Sequence, residues 1–252
     1  MNWWWVLPIG FLAIMVESRW FKGKIGEHLV SRSMRKHLDP AKYHTLHDVT
    51  LRTDRGTTQI DHIVFSAFGI FVIETKNMSG WIFGRTGDMQ WTQTFHRKKF
   101  RFQNPLRQNY KHIKAVAQAA AIHESKLHSL VIFTGSAKFK TPMPPNVCRR
   151  SAGVMHIRTF QERLLMDNEV SEAILKITER RLAPGLKTNR AHIKQIRENK
   201  ELPSCDKCGS PMVLKTATKG TNAGNQFWGC SSYPKCSYTR DHLVEPRHRN
   251  NN

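Results

Sequence analysis

The chain has 252 residues, which leaves room for one domain of ordinary size plus a small module or tail and excludes more than two globular units. Forty Lys and Arg against nineteen Asp and Glu give a formal charge of +21, spread along the chain rather than confined to one tail. A field of that sign favours polyanions or an anionic membrane surface, although charge alone leaves open a basic protein with no nucleic-acid partner.

The first element is an apolar run, WWWVLPIGFLAIMV, over residues 3–16. As a helix it would be ~21 Å long, short for a bilayer core of ~30 Å. Tryptophans at its start and at position 20 suit an interface, and Arg19, Lys22, Lys24, Arg32, Arg35 and Lys36 follow. This pattern predicts a short or tilted anchor over residues 1–21, with the bulk of the chain at the cytoplasmic face of an inner membrane. No basic residue precedes the run and no small-x-small site follows it, which argues against a cleaved signal peptide. Pro8, Gly10 and Glu17 leave open a helix packed on the protein's own core.

GKIGEHLVSRSMRKHL (23–38) spaces Ile25, Leu29, Val30, Met34 and Leu38 as an amphipathic helix, with Glu27 near its first turn. HDVTLRT (47–53) alternates as a strand before the turn signal DRG. IDHIVFSAFGIFVIETKN (60–77) then reads as two strands around a tight turn, and GWIFGRTGDMQWTQ (80–93) as a second hairpin. The basic stretch RKKFRFQNP (97–105) ends at an Asn-Pro stop, and an Ala-rich helix is predicted from 106 to about 126. SLVIFTG (129–135) is a buried strand, TPMPPN (141–146) a loop and GVMHI (153–157) a final strand. Two helical stretches follow, about 159–182 and 188–200, the first capped by Thr159 with Glu162 three residues on. The domain boundaries expected are 1–21 for the anchor, 22–158 for an α/β domain, 159–202 for a helical extension and linker, 203–244 for a Cys-rich module and 245–252 for a disordered tail.

Three charges interrupt the apolar hairpin at 60–77. With the turn centred on Ala67 and Phe68, opposed residues have numbers summing to 135, which places Asp61 across from Glu74 with Cβ atoms ~5 Å apart. Glu74 and Lys76 share a face with Ile70 and Val72, about 6.6 Å apart along the strand, while Phe71, Ile73 and Thr75 take the other. Two opposed carboxylates need something between them, and a hard divalent cation, Mg²⁺ or Mn²⁺, supplies it. Such a cation polarises a phosphate and activates water, while Lys76 orients that water or stabilises transition-state charge. The competing reading is an ion pair on a solvent-facing sheet, which the Ile, Val and Phe neighbours disfavour.

Asp61, twelve residues, then Glu74-Thr75-Lys76 resembles the PD-(D/E)xK nuclease core. More narrowly, KGKIGE (22–27), TQIDHIVFSAFGIFVIETKNMSGWIFG (58–84) and NPLRQNYKHI (104–113) look like the nuclease-related domain, NERD, over roughly residues 22–135. The resemblance implies a restriction-endonuclease-like α/β fold, a mixed sheet flanked by helices. It also implies a site in which Glu27 lies near the metal, Asp61 and Glu74 bind it, Lys76 assists the attack and Gln108 completes the set.

Cys205-x2-Cys208, twenty-one residues, then Cys230-x5-Cys236 supplies four thiolates, the ligand count of a closed structural Zn²⁺ site. Gly209 permits the turn toward the metal, and so small a segment takes its folding energy from the ion. Disulfides are the alternative, disfavoured in a reducing cytoplasm. Cys148 stands alone as a free thiol. The segment CDKCGSPMVLKTATKGTNAGNQFWGCSSYPKCSYT resembles the C-terminal zinc ribbon of bacterial type I topoisomerases, with Asp206 where a proline usually follows the first cysteine. That likeness implies DNA binding: Phe227, Trp228 and Tyr233 would stack on bases, and Lys207, Lys215, Lys219, Lys235 and Arg240 would meet phosphates. Phe227 and Trp228 could equally form the ribbon's own core. The expectation is a membrane-tethered, Mg²⁺-dependent nuclease with DNA ahead of RNA as its partner; the alternative is a nucleic-acid-binding or scaffolding protein without turnover.

Overall fold

The hairpin at 60–77 forms as its alternation and its Ala67-Phe68 turn predict. β2 (Gly56–Ser66) and β3 (Gly69–Lys76) pair antiparallel from Ser66↔Gly69 to His62↔Ile73, every pair summing to 135. The computed structural model describes residues 19–54, 56–183, 185, 188, 203, 205–208, 210–218 and 223–241. Among these no helix is long and apolar enough to cross a membrane, and the apolar run at 3–16 lies outside them. Also outside are most of the second helical stretch at 188–200, Gly209, Lys219 and the 245–252 tail. Contacts divide the chain into two units, Met1–Asn189 and Arg190–Asn252.

In the first unit β1 (His44–Thr53) extends the hairpin, and β7 (Leu127–Phe133) and β9 (Val147–Arg149) add parallel strands, giving a mixed sheet in the order β1-β2-β3-β7-β9. α1 (Arg19–His37) and α3 (Arg150–Ile157) cover one face, where Val30, Met34, Val154 and Ile157 pack on Val64, Phe71, Ile73 and Leu130. α2 (Pro105–Ala120) and α4 (Asp167–Arg180) cover the other, over Ile63, Phe65, Ile70 and Val72. This is an α/β architecture with helices on both faces of a mixed sheet. A second sheet, ordered β6-β5-β4-β8, is built from β4 (Trp81–Phe83), β5 (Gln90–Phe95), β6 (Lys98–Gln103) and β8 (Lys138–Phe139). One of its faces closes on Val131, Phe133 and Val147 through Ile82 and Trp91.

Several local expectations are corrected. GVMHI is the end of α3, not a strand: Val154 and Ile157, three residues apart, share the helical face that lies on the sheet, and the last strand of the sheet ends just before at Arg149. A five-residue apolar run fits both periods, so alternation alone could not decide. Thr159 does not cap a helix; its hydroxyl donates to His156 O at 2.7 Å, and α4 begins at Asp167, where Glu169 accepts from Met166 N at 2.8 Å. In α1 the buried stripe is Val30 and Met34, continued by Leu38 just past the helix end, while Ile25 is exposed. Glu27 stands two turns into this helix rather than in its first turn.

The stripe continues upward through Gly26, and that glycine sets how closely α1 approaches the sheet. A Cβ there would lie 2.8 Å from both Asn77 Cβ and Thr134 Oγ1, atoms of the segments that leave β3 and β7. Gly23, one turn earlier, has nothing within 4 Å. The two positions therefore predict opposite signs in one helix. Gly23→Ala should raise stability by up to about 1 kcal/mol through helix propensity. Gly26→Ala should lower it by about 1 kcal/mol or more, because overpacking outweighs the same gain. Urea unfolding of the two variants checks this; equal shifts of the same sign would show that α1 does not rest on Gly26.

Candidate active site and metal centre

Glu74 is the deepest of the five residues singled out by the sequence, at 3% exposure. Its charge is met twice: Lys76 Nζ donates to Oε1 at 2.6 Å, and His112 Nε2 lies 3.1 Å from Oε2. Burial pushes this carboxyl up, but Lys76 and His112 together outweigh it and hold it below its ordinary range. Thr58 Oγ1 lies 2.8 Å from His112 Nδ1; with the hydroxyl donating there, Nε2–H is left to donate to Glu74. Lys76 also donates to Gln108 Oε1 at 2.9 Å, so strand and helix are joined through one ammonium.

α2 presents these partners because of its first turn. The buried Asn104 caps it, its Oδ1 accepting from Leu106 N at 2.9 Å while its Nδ2 donates to Asp88 O at 2.6 Å, and Pro105 supplies the fixed φ that suits the first helical position. Gln108 and His112, four apart, then lie on one face. Between them the buried Asn109 donates to Val72 O and Ser129 Oγ, both at 2.8 Å, tying the helix to β3 and β7.

Asp61 reaches the same place by a different route from the one its position in the hairpin predicts. The β2–β3 ladder stops at His62↔Ile73, so Asp61 and Glu74 are not an opposed backbone pair. Instead Asp61 Oδ2 accepts from Thr75 N at 2.7 Å, and a carboxylate takes the place of the missing ladder carbonyl. The cause lies in the pleat. Leu46, Ile63 and Phe65 face α2, and so do Val49, Leu51 and Ile60, so strict alternation breaks between these sets on both strands. Asp48 sits at the break with φ +52 and accepts a hydrogen bond from Gln59 Nε2. Burial, then Glu74, then Glu27 push the Asp61 carboxyl well above its ordinary range.

Glu27 contributes from α1. Lys24 donates to its Oε2 at 2.8 Å and lies 3.4 Å from Asp48 Oδ2. Burial raises Glu27, with Asp48 and Glu74 adding to the rise against the pull of Lys24. Glu27, Asp61 and Glu74 thus sense one another's charge, and Lys76 and Gln108 join them. Sequence reading missed His112, Thr58 and Asn109. The spacing from Gln108 to His112, a full turn after an Asn-Pro cap, was the signal available for His112.

In the second unit β10 (Met212–Thr216), β11 (Gln226–Cys230) and β12 (Thr239–Asp241) form an antiparallel sheet. The Sγ atoms of Cys205, Cys208, Cys230 and Cys236 all lie within 4.8 Å of one another. The cysteines are free, with Cys205 and Cys236 3.8 Å apart and Cys208 and Cys230 3.3 Å apart. Tetrahedral ligands at ~2.3 Å from Zn²⁺ stand ~3.8 Å from each other, so the four thiols fit that ion. Among the described residues no other group of three or more Cys, His, Asp or Glu comes as close together. Asp206, the departure from proline, accepts from Tyr238 OH at 2.6 Å. Register separates the aromatics. Trp228 is paired with Leu214 and packs on the cysteine cluster, whereas Phe227 is paired with Lys215 on the opposite face. Tyr233, 65% exposed, lies under Lys215 Nζ at 5.3 Å, and Lys207, Lys235 and Arg240 are exposed.

Removing His112 leaves one oxygen of a buried carboxylate without its partner. His112→Ala should lower the urea midpoint by the equivalent of about 1–3 kcal/mol, and His112→Gln, which keeps a donor, by less. An unchanged midpoint in the alanine variant would sink the assignment of His112 as the support of Glu74.

Comparison with known proteins agrees with this division. Residues 22–134 match the family described as Nuclease-related domain, NERD, and residues 203–244 match Topoisomerase DNA binding C4 zinc finger. The chain is 52% identical over 112 residues, 44% of its length, to an uncharacterized protein of Bacillus anthracis, covering 52% of that protein. It is 36% identical over 81 residues, 31% of its length, to DNA topoisomerase 1 of Methanocaldococcus jannaschii, covering 10% of that protein. The chain therefore spans about half of the first relative and a tenth of the second. No solved structure matches it. With the carboxylate and lysine cluster in one unit and the four gathered thiols in the other, the chain carries one segment similar to the nuclease-related domain and another similar to the topoisomerase C4 zinc finger.

Proposed function

We propose that this protein hydrolyses phosphodiester bonds in DNA with a divalent cation while its zinc ribbon holds the nucleic acid. The observation that carries the reading is the convergence of Glu27, Asp61 and Glu74 around Lys76 and Gln108. An Asp61 carboxyl raised by burial and by two neighbouring carboxylates marks a site where a cation would be welcome, and the donors are the hard oxygens that Mg²⁺ or Mn²⁺ takes. Asp61 and Glu74 would hold the ion, with Glu27 near it. When bound, such an ion polarises a phosphoryl oxygen and lowers the pKa of a bound water. Lys76, steadied by Gln108, is placed to orient that water or to meet charge developing on the phosphoryl group. His112 orients Glu74 from behind. In the ribbon, Phe227, Lys215 and Tyr233 form the face turned away from the cysteines and supply the stacking and phosphate contacts. DNA ahead of RNA rests on the ribbon's likeness to a DNA topoisomerase.

A second reading, a nucleic-acid-binding or scaffolding protein without turnover, has its own observation. Lys76 occupies Glu74 Oε1, an oxygen the cation would use, and the three carboxylates are not gathered within 4.8 Å of one another. A cleavage assay on single-stranded, duplex and branched DNA with and without Mg²⁺ separates the two. The nuclease reading expects Mg²⁺-dependent products and a fall of about 10²-fold or more for Asp61→Asn, Glu74→Ala and Lys76→Ala. No products from the wild-type protein on any substrate would establish the second reading instead.

The apolar run at 3–16 and the cations that follow it support a tether at the cytoplasmic face of a membrane. The full chain should then sediment with membranes and be released by deleting residues 1–21; a deletion that sediments like the full chain would count against the tether.

A further inference from the structure

The sheet β6-β5-β4-β8 has one face in the core and one that, among the described residues, nothing covers. Register assigns the open face. Trp81 is paired with Thr94 and Lys138, Thr94 with Lys99, and Thr92 with Arg101, so these side chains point together, away from Ile82, Trp91 and Phe102. Lys140 joins them, its Nζ 4.6 Å from the centre of the Trp81 ring. Lys99, Arg101, Lys138 and Lys140 are exposed, Trp81 is 48% exposed, and among the described residues none of the four cations forms an ion pair with a carboxylate. The four strands hold no Asp or Glu at all.

Beyond Trp91 and Phe102 the β5–β6 hairpin leaves the core, with residues 95–101 exposed on both faces and Phe95 and Phe100 among the large exposed apolar side chains. His96 and Arg97 form its tip, both at positive φ without being glycine. A protruding two-stranded ribbon of this kind is the shape that enters a nucleic-acid groove or lies along its phosphates. The sheet is also attached to the candidate site at both ends. β4 begins five residues after Lys76, a reach of at most ~18 Å, and β6 runs through Asn104 directly into the helix that carries Gln108.

We infer that the open face of this sheet, with Lys99, Arg101, Lys138 and Lys140 around Trp81, binds the phosphodiester backbone of nucleic acid and leads it toward the carboxylate cluster. Charge complementarity selects the partner: an acid-free cationic face beside aromatic rings suits phosphates and bases, with no sequence readout required. The inference rests on the reading that this protein engages nucleic acid, and is independent of turnover.

The test uses the full chain and a labelled 20-nucleotide single strand and duplex, in buffer without Mg²⁺, with affinity followed by anisotropy across a salt series. Replacing Lys99, Arg101 and Lys138 together by Gln should weaken binding at least about tenfold at low salt and reduce the slope of log K on log salt by about two to three, one phosphate contact for each cation. Arg101→Gln or Lys138→Gln alone should each reduce the slope by about one, which covers the case in which the triple variant misfolds. Replacing the exposed Arg32, Lys36 and Lys42 of the same unit by Gln removes equal charge and should leave the slope nearly unchanged. A sheet variant with the wild-type slope, or one no weaker than this control, overturns the inference. So does a sheet variant that loses binding to phosphatidylglycerol vesicles while holding both oligonucleotides normally, because the face would then be a membrane surface. Absent cleavage with an intact sheet effect counts against the nuclease reading alone; normal cleavage with no sheet effect counts against this surface alone.

Discussion

A carboxylate buried in an apolar sheet must be matched, and the first unit is arranged around how Glu74 is matched. Leaving such a charge with no compensating partner at all costs about 3–5 kcal/mol, comparable to the whole stability of a small domain. Lys76 meets it from the same strand and His112 from α2, so the helix cannot slide along the sheet without exposing the cost. Asn109, between them, bonds to Val72 O and Ser129 Oγ and fixes the same register through uncharged groups. Hydrophobic packing of Ile113 and Val116 brings α2 to the sheet; these polar bonds choose where it stops.

The same constraint decides what else can approach. Lys76 ends β3, and the chain passes directly into the segment over which α1 crosses at Gly26. At Gly135, the next tight approach, an added Cβ would lie 2.1 Å from Met78 O, so the segments leaving β3 and β7 are pressed together. Glu27 is brought near Glu74 by that closeness and not by any bond of its own to the sheet, its hydrogen bond going to Lys24. Stability and the candidate chemistry are therefore in tension at Glu74. The ammonium that makes the buried carboxylate tolerable occupies the oxygen that a cation would need.

Much of this was legible in the sequence where a short-range period governs. The hairpin register followed from counting across Ala67-Phe68, because a slip of one residue would turn every side chain to the wrong face. The four cysteines were legible because ligand spacing is itself the signal. The break of the pleat at Asp48 and Asp61 was not legible, since no glycine marks it and an Asp at positive φ leaves no trace in an alternation count. His112 was equally hidden: in a helix its spacing fits core, surface and site alike, and only the arrival of Glu74 and Thr58 from distant strands decides among them. The strand expected over GVMHI failed for a related reason, a run too short for its period to be told.

The ribbon carries the opposite lesson about which residues are spoken for by structure. Two neighbouring aromatics in FWGC look interchangeable as stacking platforms, but alternation along β11 sends them to opposite faces. Trp228 packs on the cysteines, so removing it would disturb the metal centre before it disturbed any ligand. Phe227 faces away, beside Lys215, and the Tyr233 ring lies under that same lysine's ammonium. Asp206 adds a bond from the first cysteine turn to Tyr238 that a proline could not make, which ties the ends of the ribbon together independently of the metal. The side chains of this unit that its own packing does not use thus lie on the face turned away from the cysteines, just as in the first unit the open sheet face is the one its own core does not require.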